Sequence, residues 1–230
     1  MNLRPEDIRE IVLYVLVLIV SVAFHEFGHA IVADRLGDDT PRRQGRVTLN
    51  PIAHADLIGT ILLPLAGGVF GSMAGGGAVG GFGWGKPVQW QPSRVKRKWR
   101  MATAQILVSF AGPIMNVLLG TFIALVHTIL VWKGVVVPGS KANDMLLFAV
   151  RTNFVLFFFN LVPAPPLDGG HVLEHLLPYR YRKPFEEYAR YGPFIVGAIA
   201  LIPPLPYVFL IPAEHTANLV YRGLAALFGM

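Results

Sequence analysis

Four apolar stretches constrain this chain more than any other feature: residues 8–33, 102–132, 145–163 and 192–212. Each meets or approaches the roughly 20 mostly apolar residues that a helix needs to cross a bilayer. A water-soluble core built from 230 residues cannot absorb four such segments, so the pattern predicts an integral membrane protein. Within it, helices are expected over about 7–33, 102–132 and 145–161. Pro5 before the first and Gly37 after it match the usual start and stop signals. Gly112-Pro113 predicts a kink in the second, and Pro163 stops the third. The C-terminal part holds a charged amphipathic stretch (171–190), a Pro-interrupted apolar segment (192–212) and an amphipathic helix (213–228).

Between the first two long runs, residues 57–71 are apolar but short, contain Pro64, and pass into the tract GGVFGSMAGGGAVGGFGWG. Glycine at this density disfavours a spanning helix. KPVQW (86–90) after it has the composition of a short strand. The expected fold class is therefore all-α polytopic membrane protein, one membrane-embedded domain over 1–230. It has three core transmembrane helices and one or two C-terminal ones over about 190–228. A re-entrant Gly-rich loop and a short β-strand lie between the first two core helices.

The chain has no cysteine, which excludes disulfides and thiolate metal sites. Its net charge of +6 invites a nucleic-acid reading, but the basic residues lie in loops between apolar runs, as membrane topology requires. The leader MNLRPEDIRE mixes acids and bases and precedes no small-residue cleavage pattern, so the first apolar run is not read as a signal peptide.

Inside the first run lies His25-Glu26-Phe27-Gly28-His29. On a helix, positions i and i+4 share a face about 6 Å apart along the axis, so both imidazoles can bind one metal ion. In H-E-x-x-H the intervening glutamate can reach a water on that ion as a general base. Ionisable residues in an otherwise apolar membrane helix are costly, and such residues are functional by default. A catalytic zinc takes three protein ligands and one open position, so a third ligand must come from elsewhere. Asp168, in NLVPAPPLDGG (160–170), is the candidate: it follows the third long helix in a turn whose prolines and glycines permit tight geometry. Locally, an ordinary helix-ending Asp-Gly turn accounts for the same residues equally well.

HEFGH in the first helix, SFAGPIMN (109–116) in the second and NLVPAPPLDGG in the third, in that order, resemble the site-2 protease family of intramembrane zinc metalloproteases (peptidase family M50). GRVTLNPIAHADLIGTILLP and FGWGKPV resemble its compact bacterial branch, which lacks PDZ and CBS modules. The resemblance implies one zinc ion held by His25, His29 and Asp168, with Glu26 as base and Asn160 binding substrate or stabilising the oxyanion. It also implies single-span membrane proteins as substrates, cut in regulated intramembrane proteolysis. The catalytic core would then cover about 8–175. Asn116 either lines the site or makes an interhelical hydrogen bond. His54 reads as a loop-satisfied histidine, while His171 and His175 are alternative or supporting ligands. Arg151, six residues into the third helix, can snorkel or pair.

Shared ligands would force the ends of helices one and three to one side of the membrane, with helix two as the single crossing between them. Residues 57–71 must then dip in and return. Under that topology the metal-side loops (34–56, 86–100, 164–190) carry fourteen Lys and Arg and the other side five; a full span at 57–71 gives twelve against seven. The positive-inside rule favours the first, placing the site toward the cytoplasmic face of the plasma membrane. Two other readings stand beside this one. One is a membrane zincin that cuts soluble loops and uses Glu174, Glu186 or Glu187 as a ligand. The other is a non-catalytic zinc-binding membrane protein, which would not need Glu26.

Overall fold

The computed structural model describes residues 4–73 and 83–229. Three helices are long and apolar enough to cross a membrane: α1 (Pro5–Leu36), α5 (Met101–Trp132) and α6 (Lys141–Asn160). They lie where the apolar runs predict them. The described residues form a helical, multi-pass membrane protein. α5 is the centre, packing against both α1 and α6.

α1 and α5 approach closely because Gly28 faces the α5 backbone. A Cβ there would lie 2.5 Å from the Ala111 carbonyl oxygen. Small residues at such contacts let membrane helices meet, since lipid supplies no hydrophobic drive between them. On the other side of α5, Ala124 packs with Val150 and Phe154 of α6 and with Ala213 and Ala217 of α10 (Tyr207–Phe228). α10 runs antiparallel to α6. Phe209 meets Phe159 edge-on near the end of α6, whereas Tyr221 reaches His127 and Phe228 reaches Trp132 near the end of α5. The apolar run 192–212 is thus divided, because Pro203, Pro204 and Pro206 break it into α9 (Gly192–Leu201) and the start of α10. The charged stretch before it folds as α7 (Asp168–Leu176) and α8 (Arg182–Arg190).

The connection from α1 to α5 holds two single turns, α2 (Thr40–Arg43) and α3 (Pro51–His54), then a π-helical stretch (Leu57–Leu62) continuous with α4 (Leu63–Met73). Asp56 starts the π-helical stretch, its side chain accepting from the Ile58 and Gly59 amides. Most of the Gly-rich tract, residues 74–82, falls outside the described residues. The chain on either side of it meets again: the Trp84 amide donates to the Gly59 carbonyl at 3.1 Å, and the Thr60 hydroxyl donates to the Trp84 carbonyl at 2.7 Å. The expected strand at KPVQW is instead an unladdered extended segment, and no strand occurs among the described residues. Its backbone partners are isolated: the Lys86 amide donates to the His54 carbonyl, and Arg46 donates to the Ala53 and Lys86 carbonyls.

Candidate metal centre

The structure brings together His25 and His29 of α1 and Asp168 at the N-terminus of α7. Their Nε2 atoms lie 3.0 Å apart; His25 Nε2 is 3.1 Å from Asp168 Oδ2, and His29 Nε2 is 3.4 Å from Asp168 Oδ1. They are the one cluster of three or more such side chains able to hold a metal ion among the described residues.

The surrounding hydrogen bonds fix what these atoms can do. His29 Nδ1 lies 2.7 Å from the Val108 carbonyl, which can only accept. His25 Nδ1 lies 2.7 Å from Asn116 Oδ1. The Asn116 amide is oriented by its own donations, to the Ser21 carbonyl and to Asn153 Oδ1, both at 3.1 Å. Each ring therefore carries its proton on Nδ1 and turns the Nε2 lone pair inward. Two lone pairs and a carboxylate then face one another with no donor among them, which is stable only around a positive charge, whether a proton or a metal ion. Burial alone would raise the Asp168 carboxyl; a positive charge placed within the trio, as on a protonated His29 ring, outweighs it and holds the group below the ordinary carboxylate range.

The donor set fits zinc. Two imidazole nitrogens and a carboxylate are ordinary zinc ligands, and bonds of about 2.0–2.1 Å in a tetrahedron separate donors by roughly 3.3 Å. Asp168 Oδ2 is buried without a hydrogen-bond partner. Room beside the trio is kept by Gly112, the glycine of Gly112-Pro113. A Cβ there would collide with His29 Nε2 and lie 2.7 Å from His25 Nε2.

Glu26, 9% exposed, projects from the same turn of α1. Its Oε2 accepts from the Val88 amide at 3.0 Å, so the extended segment is tied to the carboxylate. Sequence reasoning did not single out Val88; a backbone amide leaves no mark on residue identity.

The model of peptidase family M50 matches residues 13–137 and 129–203. The chain belongs to that family. YwhC of Bacillus subtilis (strain 168), named as a candidate zinc metalloprotease, is 37% identical over 218 residues, covering 93% of this chain and 91% of its own. Rip2 of Mycolicibacterium smegmatis, named likewise, is 29% identical over 81% of this chain, and Rip2 of Mycobacterium tuberculosis 33% identical over 71%. The chain spans 65% and 57% of those two proteins. No solved structure matches it. Membership in M50, with these relatives, makes the chain a zinc metalloprotease.

The remaining candidates are placed differently. Asn160 donates its side-chain amide to the Leu156 carbonyl one turn back in α6. Asn116, fully buried, does both things considered for it: it supports His25 and joins α1, α5 and α6. Buried His54 places Nε2 2.9 Å from the Thr48 carbonyl. His175 Nδ1 bonds the His171 carbonyl, and His171 lies 3.9 Å from Glu174 on the exposed side of α7. Glu186 and Glu187 are exposed on α8. Among the described residues, none of His54, His171, His175, Glu174, Glu186 and Glu187 joins the trio.

Proposed function

We propose that this zinc metalloprotease is an intramembrane endopeptidase, hydrolysing peptide bonds within the membrane segments of single-span proteins. The observation that carries it is the donor-free trio of His25, His29 and Asp168, beside the buried carboxylate of Glu26 on a membrane-spanning helix. His25, His29 and Asp168 hold the zinc, which when bound supplies Lewis acidity toward water and a scissile carbonyl. The Asn116 side chain and the Val108 carbonyl fix the two rings in the tautomer that presents Nε2. Glu26, anchored through Oε2 by Val88, takes the proton of the attacking water on Oε1 and passes it to the leaving amine. Asn160 is assigned to substrate binding or the oxyanion on the family motif it shares with Asp168 alone; its side chain donates to the Leu156 carbonyl.

Two features support a site within the membrane. The chain leaves at Gly59 and returns at Trp84 to the same point, as a re-entrant element between α1 and α5 would. The extended segment from Gly83 also offers backbone to a substrate, which must unwind before its peptide bonds can be cut. The charge distribution supports a zinc side toward the cytoplasm, in the plasma membrane.

The test is reconstitution in vesicles with a panel of single-span peptides, comparing wild type, Glu26→Gln and wild type with a zinc chelator. Cleavage inside the span by wild type alone is expected. Cuts confined to the soluble flanks would replace this reading with that of a loop-cutting zincin.

A further inference from the structure

Arg151 of α6 and Glu214 of α10 form an ion pair at 3.0 Å that the catalytic chemistry does not use. Arg151 lies about ten residues from either end of α6, roughly 15 Å at 1.5 Å per residue, so the pair sits near the middle of the span. The two side chains are 54% and 47% exposed on the helical bundle. Charges facing hydrocarbon at that depth are costly, and acyl chains offer them no hydrogen bond. The face that carries them is therefore suited to another protein element rather than to lipid.

That face is the wall of a cavity of about 900 Å³ between α1, α6 and α10, otherwise largely apolar, with Leu18, Leu156 and Leu210 among its lining residues. Gly83 also lines it. Gly83 opens the extended segment whose Val88 amide, five residues on, holds Glu26. The groove thus adjoins the segment that anchors the proposed base.

Building on the intramembrane-protease reading, we propose that this groove receives the membrane helix of the substrate. The Arg151–Glu214 pair in its wall selects helices with a hydrogen-bonding side chain at mid-depth. Such a side chain can bond to either ion without breaking the pair, whereas an all-aliphatic helix leaves both ions unsatisfied on their open side.

The test uses the full chain carrying Glu26→Gln in phosphatidylethanolamine–phosphatidylglycerol vesicles. A photo-crosslinking residue replaces Leu210 in the groove or, as control, exposed Leu118 on α5. Two Leu-rich single-span peptides, differing only in Gln or Leu at mid-span, serve as probes. Peptide adducts are expected from position 210 and not 118, with the Gln peptide captured about fivefold better, the worth of one interhelical hydrogen bond. Arg151→Leu with Glu214→Leu should abolish that preference at unchanged zinc content. If this double variant loses zinc, the exchanged pair Arg151→Glu with Glu214→Arg takes its place and should keep the preference. Equal capture at 210 and 118, adducts between two copies of the chain, or a preference that survives the double Leu variant would each overturn the proposal. Capture needs no turnover. Absent cleavage by wild type therefore counts against the protease reading, and absent capture with intact cleavage counts against the groove alone.

Discussion

Each end of the helical bundle holds a polar cluster built on histidine, one ring at the far end and two at the other, and the clusters differ in one further respect. At the far end, His127 of α5 sits between Tyr221 of α10 and Asn143 of α6, with its Nδ1 2.9 Å from the hydroxyl and its Nε2 3.2 Å from the amide oxygen. Asn143 Oδ1 can only accept, so Nε2 donates and Nδ1 accepts from the tyrosine; every polar atom has a complement. At the other end, the outer nitrogens of His25 and His29 are equally well matched, yet their inner nitrogens and Asp168 form a group of acceptors without a donor. Both clusters tie three helices or more. Only the unbalanced one calls for a cation. Buried histidine is thus not the mark of a metal site in this fold; an excess of converging acceptors is.

Five substitutions would break or sharpen that contrast. Glu26→Gln should lower the cleavage rate of a membrane peptide by about 10²–10⁴-fold while bound zinc, measured by elemental analysis, stays at the wild-type level. Asp168→Ala should remove the third ligand and with it stoichiometric zinc; retention of one zinc per chain would show that another residue completes the site. Gly112→Ala puts a methyl group where the ion would sit, so zinc content should fall further than with loss of a supporting residue, with helical circular dichroism preserved. Asn116→Ala leaves the three ligands in place but frees the His25 ring, and zinc affinity should drop about 10–100-fold in a chelator competition. Tyr221→Phe, at the balanced end, should lower unfolding stability in detergent by roughly 1 kcal/mol and leave zinc content unchanged. A loss of zinc there would mean that the two ends are coupled.

Much of this was legible in the residues. Hydropathy located α1, α5 and α6 because bilayer thickness sets their length, and the i, i+4 spacing of His25 and His29 placed two rings on one face. By local sequence Asp168 was one of two equal readings, since an Asp-Gly turn and a ligand use the same letters, and only the family resemblance favoured the ligand; the fold brings its carboxylate to the rings. The Val88 contact with Glu26 was not legible, because it depends on the course of backbone across the α1–α5 connection. The strand expected at KPVQW has the right composition but lacks a neighbouring strand, and a strand is a property of a pair. The Arg151–Glu214 pair joins residues 63 apart, and only the antiparallel course of α10 shows which acid meets that arginine.

The trio is divided along the chain: His25 and His29 lie near its start and Asp168 some 140 residues later. At about 5–20 residues per second, roughly 7–28 s of synthesis separate the first ligands from the last. During that interval α1 and α5 can enter the membrane and pack, but the acceptor cluster is incomplete. Until α7 closes on α1, the acceptor cluster that the proposed chemistry needs does not exist.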